Sequence, residues 1–314
     1  MKGSYNFIVG DSMSGKTYFS MGLFAEASHD ENFSDYDMVF DEPEDGAQMD
    51  VAKCFGEATE DKVRPPFLME DESWGSSETV EEMYSRTKKA FKAGPTIQVV
   101  DSMDALTSLA EMKKADQISD AIEDDGDVKG IMSDGKAKVN SMMLRQIMKP
   151  MQRHGSMLFI ISQTRDSVGK LFSAKTRSGG KALRFYATTE LWFSVKQTIK
   201  KTIRKKEREI GKLIQIKVEK NRNSSQRGMV EIPLIHDYGF DDIGGCVAWL
   251  ADNHWKGTKK LECGEFSKTP LSATELIAFI EEKESRYEKL QNLVGEVWND
   301  IREATRPKRR ARYS

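Results

Sequence analysis

Cysteine is scarce in these 314 residues: Cys54, Cys246 and Cys263 are the three present, an odd number at scattered spacings. That argues against a disulfide framework or a finger-type metal site and suits free thiols in a reducing compartment. No apolar run approaches the length that spans a bilayer, and Met1-Lys2-Gly3 leads straight into a strand pattern without a signal peptide, so the expected location is the cytoplasm and no membrane partner is expected. Internal repeats are missing as well, which excludes a solenoid. Net charge is nearly absent at −2, yet acid and base are segregated. From Glu26 to Glu82 there are 19 acidic against 3 basic residues, and from Lys196 to Gly228 there are 12 basic against 3 acidic. The acidic stretch reads as a solvated face, and the basic one points to a polyanion partner.

What is present starts with Gly10-Asp11-Ser12-Met13-Ser14-Gly15-Lys16-Thr17, which has the spacing G-x-x-x-x-G-K-[ST] of a phosphate-binding loop and follows an apolar strand pattern, Tyr5 to Val9. The glycines let successive N–H groups curl toward phosphate oxygens at the positive end of the following helix. Lys16 would reach the terminal phosphates of a nucleotide and Thr17 would hold Mg²⁺, and the loop alone does not decide which nucleotide chemistry follows. A Gly/Ser turn that ends in Lys-Thr by accident is the alternative, and the strand–loop–helix context weighs against it. Thr96 to Val100 is a second buried-strand pattern that ends in Asp101, where a nucleotide hydrolase sets a carboxylate behind Mg²⁺.

The pattern predicts an α/β protein with a twisted, mostly parallel sheet, further strands at Met38–Phe40, Phe67–Met69, Met157–Gln163, Leu191–Val195, Leu213–Glu219 and Met229–Ile235, and helices at Tyr18–Ala27, Ser77–Phe91 and Val139–Met151. Acidic residues at 41–44, directly after Met38–Phe40, fall where an open α/β sheet places its ligand. Residues 112–138 read as a long polar loop. Arg165 to Arg184 is a second loop, with Lys170, Lys175, Arg177 and Lys181 as further cations, Gly169, Gly179 and Gly180 for flexibility, and Phe172 as a wedge; this mixture suits a single-stranded nucleic acid, with a solvated surface loop as the alternative. Beyond it, a short helix is expected at Val247–Leu250 and a long one at Ser272–Glu303. The domain reading is a core over 1–240, a small C-terminal α/β domain over 241–305, and a basic disordered tail over 306–314.

Several of these stretches together resemble the RecA family of DNA strand-exchange ATPases, in particular its short bacteriophage-type members. TIQVVDSMDAL (96–106) is similar to the family's Mg²⁺-site strand, RDSVGKLFSAKTRSGGKALRFYA (165–187) to its second DNA loop, and Lys220-Asn221-Arg222 to its Lys-Asn-[KR] motif. The likeness runs from about residue 3 to about residue 285. It implies a RecA-like P-loop core that binds ATP through residues 10–17 and Asp101, with Thr17 and Asp101 as the Mg²⁺ residues. It implies that Glu44 orients the attacking water, with Glu42 as a competing register, and that Gln163 senses the γ-phosphate. Lys220 and Arg222 would reach the ATP of a neighbouring copy. Arg165, Val168, Lys170, Phe172, Lys175, Arg177, Gly179, Gly180, Lys181 and Arg184 would lie on DNA, and Phe185 at the subunit interface.

The implied function is an ATP- and single-stranded-DNA-dependent recombinase that assembles as a filament or ring, with double-stranded DNA and a single-strand-binding protein as further candidate partners. Four departures stand out. The chain starts almost at the phosphate-loop strand, without the family's polymerising N-terminal helix; Val51 replaces an adenine-stacking tyrosine; residues 112–138, which the resemblance implies are the first of two DNA-binding loops, are longer and more acidic than usual; and the end is basic where bacterial members are often acidic. Two other readings remain open at this point: a replicative-helicase-type ring motor, and a DNA-binding or annealing module that barely hydrolyses ATP.

Overall fold

The computed structural model describes residues 2–44, 46, 49–70, 72–123, 135–166, 175–177, 180–224 and 227–309. From β1 (Tyr5–Gly10) the chain runs through α1 (Lys16–His29), β2 (Asp37–Asp41), α2 (Val51–Phe55), α3 (Glu57–Lys62), β3 (Val63–Arg64), β4 (Phe67–Leu68), β5 (Trp74–Gly75) and α4 (Val80–Ala93) to β6 (Thr96–Val100). It continues through α5 (Leu109–Glu123), α6 (Gly135–His154), β7 (Met157–Asp166), β8 (Lys175–Arg177), α7 (Lys181–Tyr186), β9 (Thr189–Ile203) and β10 (Lys206–Asn221). Last come β11 (Met229–Ile235), β12 (Gly239–Phe240), α8 (Asp242–Asn253), α9 (Ala273–Glu281) and α10 (Glu284–Ala304). Two compact units result: Met1–Gln197 with Ile214–Val230, and Thr198–Leu213 with Glu231–Ser314.

The first unit is built on parallel strands in the order β9-β1-β7-β6-β2-β3. β1 is buried along its whole length because it is paired on both edges and covered on both faces, and the side-chain amide of its Asn6 donates to Ser4 Oγ. Phe7, Val9, Leu158 and Ile160 pack with Tyr84 and Phe91 of α4 and with Leu144, Ile147 and Met151 of α6. Each such fully buried side chain contributes about 1.5–3 kcal/mol. Register aligns the strand ends: Gly10 faces Gln163, Val100 faces Ile160, and Asp41 faces Val100. The residues that follow these positions therefore share one carboxyl edge.

Four expectations change in the described residues. The 112–138 loop begins inside a helix, α5; its apolar residues Leu109, Met112, Ala115, Ile118 and Ile122 do recur at helical spacing, but abundant charge hides the period. Residues 124–134 of that loop lie outside the described residues. The third strand of the sheet is Val63–Arg64, while Phe67–Leu68 forms a separate antiparallel pair with Trp74–Gly75. The long terminal helix is two, α9 and α10, separated where Lys283 turns extended (φ −148°, ψ 127°). There Arg286 donates to the Phe279 carbonyl and the Glu282 carboxylate, which satisfies the broken end. Finally, β9 and β10 are longer than the two strands expected, because the basic connection between them is itself hairpin.

In the second unit, Val247, Leu250, Trp255, Leu261, Cys263, Leu276, Ile280, Leu290 and Leu293 form a separate core. All three cysteines are free thiols. Among the described residues no helix is long and apolar enough to cross a membrane.

Candidate nucleotide site and nucleic-acid elements

The loop after β1 curls as its glycines require. Gly15 has φ 83° and caps α1, and Met13, three-quarters exposed, has φ 57°. A Cβ on Gly10 would lie 2.5 Å from the Phe193 carbonyl oxygen and 2.8 Å from Ser14 Oγ, so only glycine fits between β1 and its neighbour. Asp11 organises the loop from both ends. Its carbonyl accepts from Ser14 Oγ at 2.7 Å and from Lys16 Nζ at 2.6 Å, and its carboxylate accepts from Thr164 Oγ1. Lys16 is thus folded back onto its own loop. Burial lowers its pKa, against the opposing pull of Asp101, Asp11, Glu44 and Asp104.

Thr17, in the first turn of α1, donates to Asp101 Oδ2 at 2.5 Å. Asp101 follows β6, and burial pushes its carboxyl above the ordinary range, with the Thr17 bond acting against that shift. Glu44 accepts from Ser102 Oγ and from Gln163 Nε2, the latter at 3.4 Å. Lys16, Thr17, Asp101, Glu44 and Gln163 are therefore gathered at the carboxyl ends of β1, β6, β2 and β7. Glu42 points elsewhere. It accepts the Gly46 N–H at 2.9 Å and lines a pocket of about 170 Å³ with Met21, Phe40, Met49 and Val51. Asp41, also buried, accepts the N–H and hydroxyl of Ser77, which ties β2 to the segment before α4.

Sequence reasoning missed Asp104. Its carboxylate accepts the Gln163 N–H at 2.7 Å and Ser162 Oγ at 2.9 Å, so it fixes the end of β7 beside the phosphate loop. The signal was an acid three residues after Asp101, in the turn that returns from the sheet edge. Ser102 and Thr164 were missed in the same way, because short polar side chains beside a motif carry no spacing of their own.

Lys220 and Arg222 lie at the opposite edge of the sheet. Arg222 N–H donates to the Thr188 carbonyl, next to Thr189, which faces Asn6 at the beginning of β1, whereas the phosphate loop follows its end. Lys220 Nζ donates to the carbonyls of Arg184 at 2.5 Å and Phe185 at 3.0 Å, and Arg222 donates to the Phe185 carbonyl, so both cations cap the end of α7. Desolvation first, and then repulsion from Arg222, lower the pKa of Lys220 to about 8. Phe185 itself is exposed.

Of the residues expected to lie on DNA in 165–184, Val168, Lys170, Phe172 and Gly179 lie outside the described residues. Arg165 is on β7, and Lys175 and Arg177 are on β8, which pairs antiparallel with β7 beyond the sheet edge. Gly180, at φ 82°, precedes α7, whose first residue, Lys181, is exposed. Arg184 pairs with the fully buried Glu190 at 3.3 Å, and Trp192 Nε1 donates to the same carboxylate at 2.9 Å.

The structure is similar to that of the RadB recombinase, with a TM-score of 0.49 at 12% identity, over 76% of this chain and 90% of that one. Protein RecA of Nostoc punctiforme is 28% identical over 207 residues, 65% of this chain and 53% of that protein. Protein RecA of Bartonella bacilliformis is 29% identical over 174 residues, 54% and 45% respectively. The chain thus spans about half the length of these relatives. The RecA N-terminal domain family matches residues 2–241, so this chain belongs to the RecA family.

Proposed function

We propose that this protein is a DNA-dependent ATPase of recombination and repair, a short phage-type RecA relative that coats single-stranded DNA in the cytoplasm and promotes homologous pairing, annealing or strand exchange. One observation supports this above the others: Lys16, Thr17, Asp101, Glu44 and Gln163 converge at one sheet edge around a phosphate-loop backbone. Lys16 would exchange the Asp11 carbonyl for a phosphate oxygen, which gives a partly desolvated ammonium a full counter-charge. The Thr17 hydroxyl and Asp101 carboxylate are hard oxygen donors and fit Mg²⁺, while among the described residues no group of three metal-binding side chains forms a resident site. The ion would arrive with the nucleotide, and when bound it neutralises charge on the phosphate oxygens.

Glu44, which accepts hydrogen bonds from Ser102 and Gln163, would orient the attacking water and accept its proton. Gln163 sits on β7, which runs on without a break into its pairing with β8. A shift at the γ-phosphate therefore reaches 165–184 through continuous backbone. The length of β1, roughly 17 Å, separates the edge that carries Lys220 and Arg222 from the edge that carries the phosphate loop, which supports a role outside their own loop. These two cations would instead complete the site of a neighbouring copy, in the manner of arginine fingers.

The test is ATP hydrolysis with and without single-stranded DNA, on wild type and Lys16→Ala. Stimulation by DNA that disappears in the variant supports the proposal. A wild type that retains DNA but hydrolyses nothing would make a binding module the better account.

A further inference from the structure

In the second unit the hairpin Thr198–Leu213 closes on the two-residue turn Arg204-Lys205, with φ 51° and 64°. Positive φ at both positions is the geometry that Asn-Gly supplies most readily, and long L side chains are disfavoured there. Two cations nevertheless occupy the tip.

The surrounding charge is similarly one-sided. Within Thr198–Leu213 the seven cations Lys200, Lys201, Arg204, Lys205, Lys206, Arg208 and Lys212 stand against two acids, Glu207 and Glu209. Both acids are engaged, Glu207 with Lys200 at 2.7 Å and Glu209 with His236 at 3.7 Å. Lys201, Arg204, Lys205, Lys206 and Arg208 are all exposed, and none of them makes an ion pair among the described residues. The two-residue turn sets Ile203 opposite Lys206 and Lys201 opposite Arg208, so Lys201, Lys206 and Arg208 share one face of the ribbon. Like charges directly opposite repel. A bound polyanion would turn that repulsion into attraction.

The form of the ribbon indicates which polyanion. No aromatic residue occurs from Ser194 to Lys212, so the surface lacks the stacking platform on which single-stranded bases rest. A two-stranded ribbon has the width that a duplex major groove of about 12 Å admits, and lysines and arginines suit its phosphates. We propose that Thr198–Leu213 is a duplex-DNA-binding ribbon that grips phosphates without reading sequence, a site separate from the single-strand loop at 165–184. It rests on the proposed DNA-handling function.

The test uses the full chain and two variants. Arg204→Asn/Lys205→Gly/Lys206→Gln removes three cations while giving the turn its favoured residues. Lys201→Gln/Arg208→Gln removes two from the ribbon face. Binding of a fluorescent duplex of arbitrary sequence, and of its single strand, is followed by anisotropy across a salt series, with DNA-stimulated ATP hydrolysis measured in parallel. The log–log salt slope for duplex should become shallower by about 0.9 for each cation removed, with at least about a tenfold loss of duplex affinity at low salt. Single-strand affinity should stay within about twofold, because the loop at 165–184 carries it.

Unchanged duplex affinity and slope in both variants would overturn the proposal. So would an equal loss on single strand, or a loss of self-association with DNA binding intact, which would make an acidic surface of a second copy the occupant. If instead wild type shows no DNA-stimulated hydrolysis while duplex binding still follows the cations, the proposed function fails and the ribbon stands.

Discussion

At the residue scale the two acids after β2 separate cleanly. Glu44→Gln should lower the ATP turnover by about 10²–10⁴-fold, while Glu42→Gln, which faces the pocket at Val51, should change it only a few-fold; steady-state hydrolysis of the two variants decides. Asp101 offers a contrast between stability and function. Its folded pKa is raised by burial, so its contribution to stability is present at low pH and is lost as pH climbs through the window above the ordinary carboxylate range. Asp101→Asn should therefore raise the thermal midpoint while abolishing hydrolysis. A lower midpoint would show that the charge is better compensated than its burial suggests. Lys220 runs the other way. Its folded pKa of about 8 lies below the ordinary 10.5, so the unfolded chain binds more protons between those values and stability rises with pH across that window. Hydrolysis should fall over the same interval as the ammonium is lost, and Lys220→Arg should flatten that fall in a pH–rate profile. The phosphate loop was legible in the sequence because its backbone path demands glycines at fixed spacing. Asp104 was not, since an acid that merely holds a strand end has no obligatory spacing.

Among elements, legibility followed local chemistry. The helix after Ser77 could be read because Val80, Met83 and Phe91 recur at helical spacing and Gly94-Pro95 closes it, although its start lies at Thr79, whose capping box with Glu82 the sequence reading did not use, and β11 because it is bounded by turn residues. The split between α9 and α10 could not, for no glycine or proline marks Lys283 and the break is satisfied by an arginine from the following turn. The full reach of β9 and β10 was hidden because strands that stand in solvent on both faces lose the apolar alternation that identifies them. That same hairpin yields a stability prediction: Arg204→Asn/Lys205→Gly should stabilise by about 1–2 kcal/mol in urea unfolding, since both positions already hold positive φ. Gly10→Ala should do the reverse, losing about 1–3 kcal/mol or more, because its methyl would meet rigid backbone of β9 rather than a movable side chain.

For the whole molecule, the placement of Lys16 and of Lys220 with Arg222 at opposite sheet edges makes a prediction about mixtures. Lys16→Ala alone lacks a working loop, and Lys220→Ala/Arg222→Ala alone lacks the cations meant for its neighbour. Mixed in equal amounts, the two inactive proteins should regain roughly a quarter of wild-type hydrolysis, because about one junction in four then joins an intact loop to intact cations. Mixtures as inactive as their components would place the whole site within one copy. The proposed assembly also has a sense of direction. If each copy offers a phosphate loop on one side and answering cations on the other, copies join head to tail, and any row that does not close has two unlike ends. One end presents a nucleotide that nothing has yet completed, the other a pair of cations with nothing to complete. Growth and loss at those ends need not proceed at equal rates, so hydrolysis could drive a row of these molecules along DNA one way only.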